Sequence, residues 1–205
     1  PHTVELMPAE GSGCRNYQGP AWYRKHFVLP AETKGQRVVL HFEAAMGKQI
    51  LYLNGKRIQE HLGGYLPFTL DLTANGVQAG DSCLLAVFTD NSDDKSYPPG
   101  KRQYTLDFAY HGGIYRDVWM IAKSPVAITD AIDSQIVGGG GVFVHFDKIS
   151  EKSAQVYVNT EVQNDDARSE SVTVETTLTD ADGKVIKRSS GTVSYTHLRA
   201  HETRR

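Results

Sequence analysis

Alternation of apolar and polar residues, interrupted by short turn motifs, is the feature that most limits how this chain can fold. Residues 37–44 place Val38, Leu40 and Phe42 on one side of an extended segment, which is the two-residue period of a β-strand. Asn54-Gly55 lies between two such runs, and both of these residues tolerate positive φ, which predicts a tight hairpin. The pattern therefore predicts an antiparallel β-sandwich.

The same reasoning predicts strands across the first part of the chain, separated by clusters of Gly, Pro, Asn and Asp. The predicted strands cover residues 21–29, 37–44, 49–53, 56–60, 68–72, 83–89 and 116–122. Residues 90–102 are too polar and proline-rich for a central strand. A loop of this length inside a compact domain is often functional. The acidic loop Asp90, Asn91, Asp93 and Asp94 offers oxygen ligands that suit a hard cation, but a solvated turn is the simpler interpretation.

A change of composition predicts a second domain. Aromatic residues become sparse after residue 123, and Val156, Val158 and Val162 begin a new alternating pattern. We expect a first domain over residues 1–123 and an immunoglobulin-like domain over residues 124–193. About five strands are recognisable there, whereas a complete sandwich of this type needs about seven. The second domain is therefore predicted to be incomplete. Residues 194–205 abandon the alternation, and we expect them to be a non-native tail.

Charge and hydropathy exclude two classes of partner. The chain of 205 residues has 22 Lys and Arg against 24 Asp and Glu, and a net charge of −2, which offers no basic footprint for nucleic acid. No apolar run approaches the roughly 20 residues that span a bilayer, so no membrane partner is expected.

Localisation stays open between a periplasmic or extracellular setting and a cytoplasmic one. Cys14 and Cys83 are expected to be buried thiols rather than a disulfide.

Six motifs occur in a fixed order along the chain. They are Pro1-His-Thr3, Trp22-Tyr-Arg-Lys-His-Phe27, Leu53-Asn-Gly55, Gly63-Gly-Tyr-Leu-Pro-Phe68, Asp71-Leu-Thr73 and Gly112-Gly-Ile-Tyr-Arg-Asp-Val-Trp119. With these motifs the chain resembles the amino-terminal part of glycoside hydrolase family 2, the group of β-galactosidases, β-glucuronidases and β-mannosidases. The resemblance covers residues 1–193 and rests on the ordered set, since each motif alone is weak.

The resemblance implies an all-β chain with two domains. The first is a jelly-roll (galactose-binding-like) sandwich, and the second is an incomplete immunoglobulin-like β-sandwich. It also implies a following (β/α)₈ barrel that holds both catalytic carboxylates of a retaining exo-glycosidase acting on β-galactosides. The barrel is absent from this sequence, so we expect a truncated, catalytically silent piece with no catalytic residue of its own.

Further expectations follow from the same resemblance. In family 2 β-galactosidases an aspartate six residues before the second glycine of the last motif reaches the active site, where it contacts the galactose and a monovalent cation. Asp107 has that spacing from Gly113 and is expected to bind both substrate and metal, since a carboxylate accepts hydroxyl hydrogen bonds and is a hard ligand. Tyr104, Tyr110 and His111 are expected to line the pocket.

We expect no cofactor in the fragment and a monovalent or divalent cation in the full enzyme. The expected partner is a β-linked oligosaccharide or galactoside, and open sheet edges are compatible with a homo-oligomer.

Simpler interpretations stand beside these expectations. Trp22 and Trp119 are expected to fill the core, as large aromatics do in sandwiches, and Asp117 is expected to form a structural ion pair with Arg116. The pairs Gly63-Gly64 and Gly112-Gly113 are expected to permit positive φ or close backbone approach. The alternative function from another class is a stand-alone carbohydrate-binding or adhesive β-sandwich module, which predicts an exposed aromatic platform and measurable sugar affinity.

Overall fold

The computed structural model describes residues 2–3, 17–106, 111–134, 136–195 and 200–204, which form two compact units, Pro1–Ala122 and Lys123–Arg205. Nearly all regular structure in the described residues is β-strand, and the only helices there are two single-turn 3-10 segments, Ala31–Thr33 and Gln103–Thr105. No helix in this part of the chain is long and apolar enough to cross a membrane.

The first unit is a jelly-roll sandwich with strands that follow the predicted alternation closely. Its strands are β1 (His2–Thr3), β2 (Pro20–Val28), β3 (Arg37–Phe42), β4 (Lys48–Leu53), β5 (Lys56–Leu62), β6 (Phe68–Asp71), β7 (Ser82–Asp90), β8 (Gly113–Ile114) and β9 (Val118–Lys123). One sheet has the order β2-β7-β4-β5 and another has the order β6-β3-β9, while β1 pairs with β8. Pairing within these sheets is antiparallel wherever a register is defined.

The core of the first unit lies between the facing sides of these two sheets. Val38, Leu40 and Phe42 of β3 are all buried, as their spacing predicts. Leu51, Leu53 and other apolar residues from β4, β6 and β7 join them in one continuous cluster. Since burial of apolar area is the main favourable term in folding, this cluster is the principal source of stability in the first unit.

The predicted hairpin between β4 and β5 is confirmed. Asn54 and Gly55 have φ of 52° and 81°, as the mirror-image turn types of two-residue hairpins require. Asn54 also ties the turn to β7, because its side-chain Oδ1 accepts a hydrogen bond from the backbone N–H of Leu84 at 2.8 Å. The turn therefore sets the β4–β5 register and joins the hairpin to its neighbour.

The second unit is an immunoglobulin-like sandwich with a small core. Its strands are β10 (Val126–Ile128), β11 (Val142–Asp147), β12 (Gln155–Asn164), β13 (Glu170–Thr179), β14 (Val185–Tyr195) and β15 (Ala200–Arg204). One sheet has the order β10-β12-β11, with β15 also paired to β12, while β13 and β14 form a hairpin. Val162 is the only fully buried hydrophobic residue among those described in this unit. The described part of this unit therefore buries little apolar surface.

Two aromatic residues that were expected in the core of the first unit lie outside it. Trp22 is 52% exposed and Trp119 is 54% exposed, so this expectation is wrong. Strand periodicity explains the error for Trp22, because its neighbours Tyr23 and Phe27 occupy the inward positions of β2 and pack on the core. Side-chain size alone does not decide which face of a strand is buried.

Candidate functional site

Four loops of the first unit meet at one end of the sandwich and form the candidate site. The backbone N–H of Met46 donates to the carbonyl of Gly113 at 2.9 Å, and that of Gly63 donates to the carbonyl of Gly47 at 2.9 Å. The Tyr115 hydroxyl donates to the carbonyl of Gly64 at 2.5 Å. The segments 61–68 and 111–119, which the sequence singles out separately, are thus joined by one direct hydrogen bond and are both bonded to Met46-Gly47.

Buried Asn91 organises the loop that follows β7. Its Nδ2 donates to the carbonyl of Tyr17 at 2.7 Å, and its Oδ1 accepts from the backbone N–H of Gly19 at 2.9 Å. The backbone carbonyl of Asn91 accepts from Nε2 of Gln103 at 2.5 Å. The Asn91 side chain therefore holds the start of the 91–103 loop against residues 17–19, and loss of its amide would leave both partners unpaired. The Gln103 side chain joins the end of the loop to its start.

The glycines at this end allow the loops to approach one another. A Cβ at Gly64 would overlap Sδ of Met46, and a Cβ at Gly112 would lie 2.9 Å from Nδ2 of Asn91. Gly63 and Gly113 have φ of 130° and 76°, which side chains disfavour. The prediction that both glycine pairs serve positive φ or close approach is confirmed.

Aromatic rings form a wall beside the glycines. The rings of His111 and Tyr115 are stacked with centroids 6.3 Å apart, and Tyr65 on the neighbouring loop is 50% exposed. Burial raises the pKa of the Tyr65 hydroxyl, and the neighbouring Tyr115 raises this pKa further. Burial also raises the pKa of Tyr115. Both phenols therefore stay protonated at neutral pH. The O–H of Tyr115 is donated to Gly64, so Tyr65 is the phenol of this wall that can donate to a polar ligand.

Three of the four predicted site residues lie wholly or partly outside the described structure. Asp107 and Tyr110 are not among the described residues, and of Tyr104 only the backbone is described, within the 3-10 segment Gln103–Thr105. His111 is described and stands at the wall formed with Tyr115. The substrate role of all four residues, and the metal role of Asp107, stay predictions.

The described residues flank the expected position of Asp107 on both sides. Leu106 is buried against Met46 with Tyr115 packed on the pair, and His111 has a buried Nδ1 without a hydrogen-bond partner. Leu106 and His111 therefore both lie beside the glycine and tyrosine contacts.

The acidic loop is a set of hydrogen-bonded turns. Asp90 accepts from the N–H and hydroxyl of Ser92, and Asp94 accepts from the same two groups of Ser96. The Ser96 hydrogen bonds lower the pKa of Asp94. Within the described ranges no group of three His, Cys, Asp or Glu side chains suits a metal ion. These residues alone do not make the expected cation site.

The structure also tests the expectations for the cysteines and for an ion pair between Arg116 and Asp117. Cys83 is a buried free thiol, and Cys14 lies outside the described residues. Arg116 and Asp117 are both exposed, and the ion pair expected between them is not found in the described part of the chain. Asp117 instead contributes its backbone carbonyl, which accepts from the N–H of Glu43 at 3.0 Å.

Sequence reasoning missed two polar features of this end. The sequence predicts Asn91 only as part of an acidic loop, and the residues next to it do not indicate that its side-chain amide is buried. Gln49 is 0% exposed, and neither polar atom of its side-chain amide has a hydrogen-bond partner. Its alternation with Leu51 and Leu53 was the available signal, because it puts Gln49 on the inward face of β4.

Comparison with known proteins gives matches across both units. The family described as "Glycosyl hydrolases family 2, sugar binding domain" matches residues 4–125. The family described as "Glycosyl hydrolases family 2" matches residues 140–203. The first match alone covers more than half of the chain.

Curated relatives and solved structures agree with these matches. A β-glucuronidase of Formosa agariphila is 33% identical over 87% of this chain and 18% of its own length. A β-galactosidase of Thermoanaerobacter pseudethanolicus is 31% identical over 79% of this chain and 20% of its own length. One solved structure is that of Bacteroides uniformis β-glucuronidase 2 covalently bound to cyclophellitol-6-carboxylate aziridine. It matches this chain with a TM-score of 0.81 and 27% sequence identity, and the match covers 93% of this chain and 22% of that one. The chain thus spans about a fifth of the length of these proteins.

Proposed function

The chain belongs to glycoside hydrolase family 2, and we propose that it is the non-catalytic N-terminal portion of a retaining exo-glycosidase that hydrolyses β-galactosides. In this proposal the first unit completes the substrate-binding rim of an active site that lies elsewhere in the parent polypeptide. The second unit then links the first to the rest of the protein.

The observation that supports the proposal is that four loops meet at one end of the first sandwich. The hydrogen bonds from Tyr115 to Gly64 and from Met46 to Gly113 hold together the loops that carry these four residues. Rigid strands support these loops, and a binding group on a rigid support is placed more accurately than one on a free loop. A rim built in this way can present one carboxylate and a wall of rings to a sugar.

Chemistry gives each proposed residue a role. Asp107 accepts hydrogen bonds from galactose hydroxyls and supplies an oxygen ligand to a monovalent cation. His111, Tyr104 and Tyr110 line the pocket, where aromatic rings suit the C–H face of a pyranose. The acid/base and the nucleophile of a retaining enzyme stand about 5 to 5.5 Å apart, and in this proposal both belong to the parent's remaining domain.

Galactoside is the specific substrate in the proposal because of the spacing between Asp107 and Gly113. The relatives include both β-glucuronidases and β-galactosidases, so family membership alone supports only a glycosidase-related sugar-binding role. Assays with chromogenic β-galactosides and β-glucuronides separate the two substrates.

The first test uses the 205-residue chain itself. We expect no hydrolysis of p-nitrophenyl β-galactoside or p-nitrophenyl β-glucuronide, since the chain offers no scaffold for a catalytic carboxylate pair. Hydrolysis by the purified chain, with activity that follows the protein through size-exclusion chromatography, would overturn the non-catalytic assignment.

The second test uses the longer polypeptide that the proposal requires, identified by reading the coding DNA past residue 193. We expect Asp107→Asn to lower kcat/KM for β-galactoside by about a hundredfold or more, comparable with loss of a charged hydrogen-bonding partner in a water-excluded site. Asp117→Asn is the matched control, because Asp117 is exposed, and it should leave kcat/KM unchanged. Equal effects of the two variants would remove Asp107 from the site.

A further inference from the structure

The outer face of the sheet β2-β7-β4-β5 carries an aromatic cluster that the candidate site does not use. Trp22 is 52% exposed, yet neighbours on two strands hold its ring. Its centroid lies 5.2 Å from the ring of Phe88 and 5.7 Å from the ring of Tyr52. Because these neighbours already fix the ring, little further conformational entropy is lost when a ligand stacks on its exposed part.

The strand registers show which side chains share this face with Trp22. Residues paired across neighbouring strands project to the same side of a sheet. One row across the four strands consists of Trp22, Phe88, Ile50 and Glu60, and the next consists of Arg24, Ala86, Tyr52 and Arg57. With strands about 4.8 Å apart, each row extends about 14 Å. We call these eight residues the Trp22 platform; it is long enough for a short oligosaccharide.

Charge on the Trp22 platform is not balanced. The Glu60 carboxylate pairs with Arg57 at 2.6 Å and with Lys48 at 3.4 Å. Arg24 has no carboxylate partner in the described part of the chain, and its guanidinium carbon lies 5.9 Å from the centroid of the Trp22 ring. A cation over an aromatic face is attracted to that face. Arg24 therefore stands beside Trp22 with donors that suit a carboxylate.

We propose that the Trp22 platform binds a β-linked oligosaccharide that carries uronate groups, with one pyranose ring stacked on Trp22 and its carboxylate bound by Arg24. Tyr52, Arg57 and Glu60 offer donors and acceptors to the next residue of the saccharide. A protein partner fits less well, because the centres of protein interfaces are depleted of Lys and Glu. Glu60 and its partner Lys48 lie within or against this platform.

The chain itself allows a direct binding test, since it contains only two tryptophans. In the Trp119→Phe variant all tryptophan fluorescence comes from Trp22. We expect a tetrasaccharide of alternating glucuronate and N-acetylglucosamine to change this fluorescence in a saturable way. Cellotetraose, a neutral β-linked tetramer, should bind at least fivefold more weakly, and 0.5 M NaCl should reduce the difference because it screens the carboxylate contact.

The same titration, applied to substituted chains, identifies the platform residues that bind. Calorimetry measures binding in the variants that lack Trp22. Trp22→Ala should weaken uronate binding at least tenfold, and Trp22→Phe should retain part of it. Trp119→Ala is the matched control, because Trp119 is exposed to almost the same degree, and it should have no effect. Arg24→Gln should remove the preference for the uronate over cellotetraose, whereas Arg188→Gln in the second unit should keep it.

Several results would overturn the inference. These are an absence of saturable binding, equal affinity for the neutral and acidic tetramers, or unchanged affinity in Trp22→Ala. A self-association that Trp22→Ala abolishes, seen by sedimentation without any saccharide binding, would instead assign the platform to a contact between copies of the chain. The inference does not rest on the proposed glycosidase function, because its residues lie outside the 103–115 segment.

Discussion

At the scale of single residues, the first unit contains two buried amides with opposite energetics. The Asn91 side chain forms two hydrogen bonds, to the backbone of Tyr17 and of Gly19, in the segment before β2. Gln49 is fully buried, but both polar atoms of its amide lack partners, beside its register neighbours Thr89 and His61. A buried polar group without a hydrogen bond costs about 1–3 kcal/mol. The two amides should therefore respond differently to replacement by an apolar side chain.

We predict that Gln49→Leu raises the free energy of unfolding by about 1–2 kcal/mol, because leucine removes an unpaired amide and adds apolar burial. Urea denaturation followed by circular dichroism measures the change. Asn91→Leu is the contrasting variant and should lower the free energy of unfolding by about 2–4 kcal/mol, since it leaves two backbone groups unpaired. A clear loss of stability in Gln49→Leu would show that the Gln49 amide is hydrogen bonded after all.

At the scale of elements, the β4–β5 hairpin connects the core to the Trp22 platform. Its inward residues Leu51 and Leu53 belong to the core cluster, while Tyr52 and Arg57 lie on the outer face. The turn at Asn54-Gly55 decides which residues take which side, because a shift of register by one residue would exchange the two faces. The conformation of the turn is therefore important both for stability and for the proposed binding surface.

We predict that Gly55→Ala lowers the free energy of unfolding by about 1–2 kcal/mol, the ordinary cost of a side chain in the left-handed region. No atom lies within 4 Å of a Cβ built at Gly55, so the cost comes from backbone strain and not from a clash. Thermal or urea unfolding measures it. Lys56→Ala, an exposed change next to the turn, should alter stability by less than about 0.5 kcal/mol. Unchanged stability in Gly55→Ala would contradict the turn assignment.

At the scale of the whole molecule, the two units differ in how much core they have. The first unit has one large buried cluster from strands of both facing sheets. The described residues of the second unit contribute one fully buried hydrophobic side chain, Val162. Because stability is a small difference between large terms, a unit with so little apolar burial should be only marginally stable.

We predict that the second unit opens before the first. Hydrogen exchange of the intact chain, followed by mass spectrometry of peptides, should show weak protection across residues 126–195 and strong protection in β3, β4 and β7. Calorimetry should show two transitions with the smaller at lower temperature. Uniform protection and a single transition would contradict this prediction and would show that the two units unfold as one.

Much of this architecture was available from local sequence patterns. Alternation located seven of the nine described strands of the first unit to within about two residues, but it did not predict the two-residue strands β1 and β8. Asn54-Gly55 located the hairpin, because strand period and turn chemistry depend on neighbours in sequence. The ordered motifs identified the family for the same reason, since they are short and their spacing is visible along the chain. The all-β class also followed from the strand patterns.

Only the tertiary structure decided which residues meet and which are exposed. Trp22 faces outward because Tyr23 and Phe27 take the inward positions of β2, and no composition rule distinguishes these neighbours. The hydrogen bond from Tyr115 to Gly64 joins residues 51 positions apart, and the two partners of the Asn91 side chain lie more than 70 positions away in sequence. Contacts of this kind arise from the packing of one sheet and its loops on another, and so they have no local signature.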